Sequence, residues 1–395
     1  MIQSLHISGF KLFREFTLPK LGRLNLFVGE NNTGKSCLLE AIGLYAGRTP
    51  VTDILETASR RSTGRLRAWI PEGMNEESSS LRHPVFDLFH WVGSSFKPPI
   101  VIEKIGDSSP LRVDFGFHQR VTDEHGVGRY VPVPPAARNT ITENVEIALP
   151  VYRGDKQVGL ITRRMLPLRG RIVDTEKLFN EDASAVAHLP AGGFSDEKAA
   201  SMWDTLVQGP SQGLVLDWLR MLEPRIEDLA YIGDEGFQRN RVALLKVEAE
   251  GRIPLRSMGD GLTRLFHVGL AMASASKGVL LIDEFENGLH WTVQEKLWNA
   301  LSKAAQKFSV QIFATTHSRD CIESFAAAGK ELGRDDTTIP SLPGLRYGPW
   351  GAGKELARDN DAMIYRLERK GDDVSASNLP LINVDAAMRE RVEVR

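Results

Sequence analysis

The sequence predicts an α/β fold in which helices flank a mixed, largely parallel central sheet, with an antiparallel β-rich and helical insertion. An apolar strand at residues 23–28 runs through a glycine-rich turn into an apolar helix. Short, continuous apolar runs at 279–282 and 310–314 are typical of central parallel strands, and a helical pattern separates them. Between these ends of the chain, candidate strands alternate apolar and polar side chains, as half-buried antiparallel strands do.

These patterns divide the chain into four parts. They are an N-terminal lobe at 1–50, the insertion at 51–208, a C-terminal lobe at 209–330 and a C-terminal tail at 331–395. Further strands are predicted at 3–8, 13–18, 100–105, 111–117, 145–153, 157–164, 242–247 and 362–369. Helices are predicted within 197–232 and at 261–276, 291–307 and 319–328, with a short one from 385.

The composition is that of an ordinary globular protein, with 42% hydrophobic and 25% charged residues and a net charge of −2. A near-neutral chain has no overall basic field to hold DNA, so DNA contact needs a local patch or a partner. Two cysteines without Cys-x-x-Cys spacing predict neither a disulfide framework nor a zinc site. No run approaches the roughly 18 apolar residues of a membrane span, and we expect a cytoplasmic protein without a membrane partner.

The glycine-rich turn fits the phosphate-binding pattern G-x-x-x-x-G-K-S. Its residues, with the one that follows, are Gly29, Glu30, Asn31, Asn32, Thr33, Gly34, Lys35, Ser36 and Cys37. The glycines let backbone N–H groups point inward at phosphate oxygens, and the following helix adds its positive N-terminal end. We expect Lys35 to reach the β- and γ-phosphates and Ser36 to ligate magnesium. This phosphate loop, residues 29–36, therefore predicts binding of ATP with Mg²⁺.

Two acidic residues, Asp283 and Glu284, follow the apolar run at 279–282. Adjacent acids after a strand are often only a helix cap or a solvated turn, but the phosphate loop upstream favours a catalytic role. Asp283 is expected to hold magnesium, and Glu284 to orient or deprotonate the water that attacks the phosphoanhydride.

A histidine and a serine–glycine pair complete the candidate site. His317 follows the strand at 310–314 and is placed to contact the γ-phosphate, although a lone histidine is usually structural. Ser257 and Gly259 precede a buried helix, where a helix N-terminus can bind phosphate; a plain cap with a glycine turn is the alternative.

The order of these motifs resembles an ABC-type ATPase of the SMC, RecF and OLD (overcoming lysogenisation defect) branch. The segments at 254–261, 280–290 and 313–318 are similar to OLD-like ATP-binding proteins of the AAA class. The resemblance implies that Ser257 and Gly259 belong to a signature segment, residues 254–261, and that residues 286–290 form a D-loop. It also places Lys11 beside the nucleotide, although a surface lysine is nearly as good an interpretation.

Three departures from this family pattern stand out. Asn32 lies where many such loops have glycine, and asparagine tolerates the left-handed backbone required there. No Q-loop glutamine is identifiable, with Gln119 the one candidate. Full-length OLD proteins also carry a TOPRIM nuclease domain, whose pattern of metal-binding acids is not evident here, so we expect an ATPase that is not itself a nuclease.

The resemblance further implies a head-to-tail homodimer, or a higher homo-oligomer, with ATP between two copies. Lys35, Ser36 and Asp283 of one copy would then face Ser257 and Gly259 of the other.

Two functions remain open on these grounds. The first is an ATP-driven switch in antiphage defence or DNA transactions, acting with a separate nuclease or TOPRIM-like effector. The alternative is a RecF-like repair ATPase that binds duplex DNA directly; basic runs near Arg60 and Arg163 could form a patch for it, although a solvated face is the simpler interpretation of them. A transporter subunit or a small-molecule kinase fits the motifs less well.

Overall fold

Three β-sheets and seven helices form the described part of the chain. The computed structural model describes residues 1–47, 49–59, 84–90, 98–122, 128–134, 145–162, 185–207, 212–234, 237–333 and 362–381. The strands are β1 (Leu5–Phe10), β2 (Phe13–Leu18), β3 (Leu24–Val28), β4 (Ile100–Glu103), β5 (Leu111–Val113), β6 (Gly116–Thr122), β7 (Gly128–Pro132), β8 (Val145–Arg153), β9 (Lys156–Thr162), β10 (Val186–Leu189), β11 (Ile226–Asp234), β12 (Phe237–Val247), β13 (Gly251–Pro254), β14 (Val279–Ile282), β15 (Gln311–Thr316), β16 (Ala362–Lys370) and β17 (Asp373–Leu379). The helices are α1 (Lys35–Ala46), α2 (Pro50–Ser59), α3 (Asp196–Val207), α4 (Gln212–Leu219), α5 (Asp260–Ser274), α6 (Trp291–Lys307) and α7 (Arg319–Gly333).

The central sheet has the strand order β10-β14-β15-β3-β16-β17. Its first five strands run parallel, and β17 pairs antiparallel with β16 at the edge. Since β3, β15 and β14 are parallel neighbours, their carboxyl ends lie side by side at one edge of the sheet. The predicted α/β class with a mixed central sheet is therefore confirmed.

Both faces of the sheet are buried at β3, β14 and β15, which is why these strands are largely apolar. On one face, alternate residues such as Leu26, Leu280 and Ile312 belong to a core that includes apolar residues of α5, α6 and α7. On the other face, Phe27 and Phe313 belong to a second core built with α1. The strand ends between these two cores are consequently held from both sides.

The second sheet is antiparallel and joins the predicted N-terminal lobe to the insertion. Its order is β2-β1-β4-β5-β8-β6-β7, and β9 pairs with β8. Strand β1 pairs with both β2 and β4, so backbone hydrogen bonds cross the predicted boundary at residue 50. Strand β10, from the end of the insertion, is part of the central sheet. The four-part division stays a prediction.

The third sheet, β11-β12-β13, corrects one prediction. Residues 226–232 were expected to be helical together with α3 and α4, but they form β11, which pairs with β12. The register of this pair shifts between Ile226 and Asp228, which marks a bulge. Because the bulge adds one residue, the buried side chains of Ile226 and Leu229 lie three positions apart, a spacing that imitates a helix.

The sequence analysis did not predict helix α2, which has Pro50 at its first position, where a missing N–H is tolerated. The helix predicted at 291–307 is confirmed, whereas the one predicted from 385 lies outside the described residues. Arg60, Arg163 and their basic neighbours also lie outside them. No helix in the described ranges is long and apolar enough to cross a membrane.

Helix α6 offers a test of the core. Trp298 is fully buried: its ring stacks on that of Phe285 at 3.8 Å and meets that of Phe325 edge-to-face at 4.8 Å. Trp298→Ala should lower the free energy of unfolding by about 3–5 kcal/mol because it opens a cavity. Trp291→Ala, on the same helix but 61% exposed, should change it by less than about 0.5 kcal/mol. Urea denaturation measures both, and equal losses would contradict the described packing.

Candidate functional site

The phosphate loop connects the end of β3 to the start of α1. Gly29, Asn32 and Gly34 have φ values of 146°, 65° and 95°, so the loop curls through backbone conformations that most side chains avoid. A Cβ at Gly29 would lie 2.5 Å from the carbonyl oxygen of Leu367 on β16, which leaves glycine as the residue that fits. Asn32 adopts the left-handed conformation expected of a glycine substitute.

Lys35 is folded back into this loop. Its Nζ donates hydrogen bonds to the carbonyl oxygens of Gly29 at 2.6 Å and Glu30 at 2.7 Å. Burial lowers the pKa of Lys35, and the nearby charge of Asp283 opposes that shift. The ammonium is thus held at the centre of the loop by two carbonyl groups, where a phosphate group would offer it a stronger, anionic acceptor.

Asp283 joins the phosphate loop to the neighbouring strands. Its Oδ1 accepts hydrogen bonds from Ser36 Oγ at 3.2 Å and from Thr315 Oγ1 at 2.6 Å. A hydroxyl and a carboxylate oxygen in direct contact are the hard oxygen ligands that magnesium prefers. The residues present therefore fit a magnesium ion bound between Ser36 and Asp283.

Glu284 has an unusual backbone. Its φ is 48°, a left-handed conformation that costs free energy in a residue with a side chain. Its N–H donates to Thr315 Oγ1 at 2.9 Å, so one threonine hydroxyl fixes both acidic residues.

A cavity of about 260 Å³ gathers most of the predicted residues in one place. Its lining residues are Leu12, Asn31, Asn32, Gly34, Lys35, Ser36, Cys37, Asp283 and Glu284. Leu12 was not predicted, because its place at the tip of the β1–β2 hairpin beside the phosphate loop is a matter of tertiary structure. Gly29, Glu30 and Thr33 complete the loop that borders this cavity, and Thr33 Oγ1 donates to the carbonyl oxygen of Glu30.

His317 lies at the end of β15 with its side chain half exposed. Its N–H donates to Glu286 Oε1 at 3.0 Å, and its Nδ1 lies 3.3 Å from the same oxygen. The sequence indicated Glu286 only as part of the D-loop and not as a partner of His317. This carboxylate ties the loop after β14 to the loop after β15.

Three predicted residues besides His317 lie away from the cavity and its loop. Ser257 and Gly259 are exposed, in the short 3₁₀ turn Leu255–Met258 and at the start of α5. Lys11, which immediately precedes the cavity residue Leu12, forms an ion pair with Glu40 on α1. Their roles at the nucleotide stay predictions.

The Q-loop glutamine is still not identified. Gln119 lies on β6 in the second sheet. Strand β10, which pairs with β14, ends at Leu189, and the loop that follows, residues 190–195, contains no glutamine.

Two family models match this chain. Residues 172–320 match the family described as "AAA domain, putative AbiEii toxin, Type IV TA system". Residues 1–58 match the family described as "AAA ATPase domain". In these two regions the chain is similar to ATPase domains of the AAA class. The region at 1–58 contains the phosphate loop. The region at 172–320 contains the signature segment, Asp283, Glu284 and His317.

Proteins similar to this chain include an ATP/GTP phosphatase of Helicobacter pylori. It is 24% identical over 342 residues, which are 82% of this chain and 87% of that protein. An uncharacterized protein of Methanocaldococcus jannaschii is 44% identical over 45 residues, 11% of this chain and 20% of that protein.

Solved structures similar to this chain include SMC head domains. One, bound to the C-winged helix domain of ScpA, is 13% identical with a TM-score of 0.45. The match covers 98% of this chain and 99% of that chain. The SMC head domain from Thermotoga maritima is 12% identical with a TM-score of 0.39, covering 95% and 98%. Because both TM-scores are below 0.5, the fold is established by the strand order described above and not by these similarities.

Thr315 provides a test of the site. Thr315→Val keeps the shape of the buried side chain but removes the hydroxyl that donates to Asp283 and accepts from Glu284. We expect magnesium-dependent ATP binding to weaken by about tenfold, the equivalent of about 1.4 kcal/mol. Thr315→Ser, which keeps the hydroxyl, is the matched control and should bind within about threefold of wild type. Titration with a fluorescent ATP analogue measures both, and equal behaviour of the two variants would contradict a role for the hydroxyl.

Proposed function

We propose that this chain binds ATP with magnesium, hydrolyses it and works as an ATP-driven molecular switch. The observation that carries the proposal is the contact of Ser36 with Asp283 beside Lys35 and Glu284 in one cavity. A hydroxyl, a carboxylate, a buried lysine and a second carboxylate are the groups that phosphoryl transfer to water requires. The AAA-type matches and the ATP/GTP phosphatase relative support hydrolysis.

Each residue has a stated part in this mechanism. The N–H groups of residues 29–36 and the ammonium of Lys35 bind and orient the phosphates, and Ser36 with Asp283 would hold the metal. Magnesium, when bound, neutralises phosphate charge. Glu284 orients the attacking water and accepts its proton, while His317 contacts the γ-phosphate. Lys11 lies beside the nucleotide once it is released from Glu40.

The place of the signature segment supports the proposed dimerisation. Ser257 and Gly259 are exposed, and the cavity lining described above contains neither. A serine hydroxyl and free N–H groups at the start of α5 are suited to bind phosphate. We propose that they complete the nucleotide site of a second copy, so that two copies enclose two ATP molecules head to tail.

A separate effector is the third part of the proposal. The OLD-like motifs support an ATPase that works in antiphage defence or DNA transactions with a nuclease or TOPRIM-like partner. The matched family is described with a toxin of a type IV toxin–antitoxin system, which is a setting of paired components. ATP-dependent dimerisation would then control when the effector acts.

A mixing experiment tests the head-to-tail site. Lys35→Ala and Ser257→Arg should each abolish hydrolysis, because each damages both sites of a homodimer. In an equal mixture, half of the dimers are mixed and each holds one intact site, so about a quarter of wild-type activity should return. Phosphate release measures this, with Glu250→Gln in the turn between β12 and β13 as a neutral control. No recovery in the mixture would contradict a site shared between copies.

Glu284→Gln tests the catalytic carboxylate and the partner together. The variant should bind ATP as wild type does, hydrolyse it at least about 100-fold more slowly because the proton acceptor is lost, and accumulate as a dimer. Light scattering and phosphate release measure these properties. Wild-type turnover would contradict the role of Glu284.

Purification of tagged Glu284→Gln from its native host with ATP and magnesium then identifies what it binds. A stoichiometric nuclease or other effector is the expected result. The protein alone, or with DNA that nuclease treatment removes, would replace the effector proposal with direct DNA binding.

A further inference from the structure

We propose that Arg264 is a positioning residue that links the signature segment to the two acidic residues of the same chain. It lies on α5, and its guanidinium reaches the loops that follow β10 and β14. The state of the signature segment would thereby control the alignment of Glu284. The inference rests on the proposed ATPase function and adds to it a residue that none of the motifs contains.

The contacts of Arg264 are to main-chain oxygens. One terminal nitrogen donates to the carbonyl oxygens of Asp283 and Glu284, both at 2.8 Å. The other donates to the carbonyl oxygens of Pro190 at 2.9 Å and Ala191 at 3.3 Å. A single side chain on α5 therefore holds the carboxyl ends of two adjacent strands of the central sheet.

These bonds bear directly on Glu284. Its left-handed backbone persists only where the surroundings over-determine it. Arg264 holds its carbonyl oxygen, and the hydroxyl of Thr315 holds its N–H. Since the direction of a side chain follows from its backbone, both bonds help to aim the carboxylate of Glu284.

Arginine is suited to this position in a way that lysine is not. Burial lowers the pKa of Arg264 to about 10, with the nearby charges of Glu286, Asp283 and Glu284 opposing the shift, so the group remains charged at neutral pH. Its planar fork can meet four carbonyl groups at once, whereas an ammonium is a compact point charge with three donors.

The start of α5 is packed against the same loop. A Cβ at Gly261 would lie 3.2 Å from the carbonyl oxygen of Gly288, and Asn287 Nδ2 donates to the carbonyl oxygen of Ala191 at 2.7 Å. Gly259 immediately precedes α5. A shift of the signature segment on contact with the phosphate of a second copy is transmitted along α5 to Arg264, and from there to Glu284.

Arg264→Lys tests the link, with Arg220→Lys as the matched control. Arg220 also donates to two carbonyl oxygens, those of Ile226 and Glu227, but at the third sheet. In the full chain, Arg264→Lys should lower kcat by at least about tenfold and leave the Kd for ATP within about threefold, while Arg220→Lys changes neither. A kcat within about twofold of wild type, or an equal loss in the control, would overturn the proposal.

Amide hydrogen exchange tests the same link without hydrolysis. In the nucleotide-free chain, Arg264→Lys should speed exchange at 283–288 by at least about fivefold and leave the phosphate loop unchanged. Unchanged exchange at 283–288 would refute the positioning role, whether or not the chain hydrolyses ATP. A chain that does not hydrolyse ATP but shows the faster exchange would overturn only the proposed function. Arg264→Gln, which removes the charge but keeps a two-donor amide, is measured in the same way should the lysine variant fail to fold.

Discussion

The parallel pairing of β3 with β15 and of β15 with β14 is the constraint on which the site depends. Parallel strands in register bring their carboxyl ends to one edge, and here each end continues into a different chemical group. The phosphate loop follows β3, Asp283 and Glu284 follow β14, and His317 follows β15. The Thr315 hydroxyl then fixes the acids relative to β15, so the sheet register sets the distances within the site.

Burial of the central sheet on both faces gives this edge its rigidity. Two cores press on β3, β14 and β15 from opposite sides, and backbone conformations that would relax elsewhere are retained at Asn32 and Glu284. The signature segment, in which Ser257 and Gly259 are exposed, leads directly into α5, which is itself largely buried. Because the strands are rigid and α5 is tightly packed, the site can change its geometry mainly by movement of whole strands or helices.

The sequence predicted those parts of the site whose chemistry is local. A glycine-rich loop and two acids after an apolar strand are recognisable from adjacent residues, and so Lys35, Ser36, Asp283 and Glu284, which line one cavity, were predicted together. Arg264, Glu286 and Leu12 reach the site through tertiary packing, which spacing along the chain does not encode. Likewise, β11 was mistaken for helix because a bulge set two buried side chains three residues apart.

The strand that bears the phosphate loop has a consequence for synthesis on the ribosome. Leu24 of β3 pairs with Ile312 of β15 and with Ala362 of β16, both of which are translated long after it. The emerging N-terminal segment therefore has neither neighbour on which to form its strand, and closing so long a loop is slow. A nascent chain cannot hold nucleotide until β15 and β16 have left the exit tunnel. Its apolar strand β3 must be kept from aggregating until then.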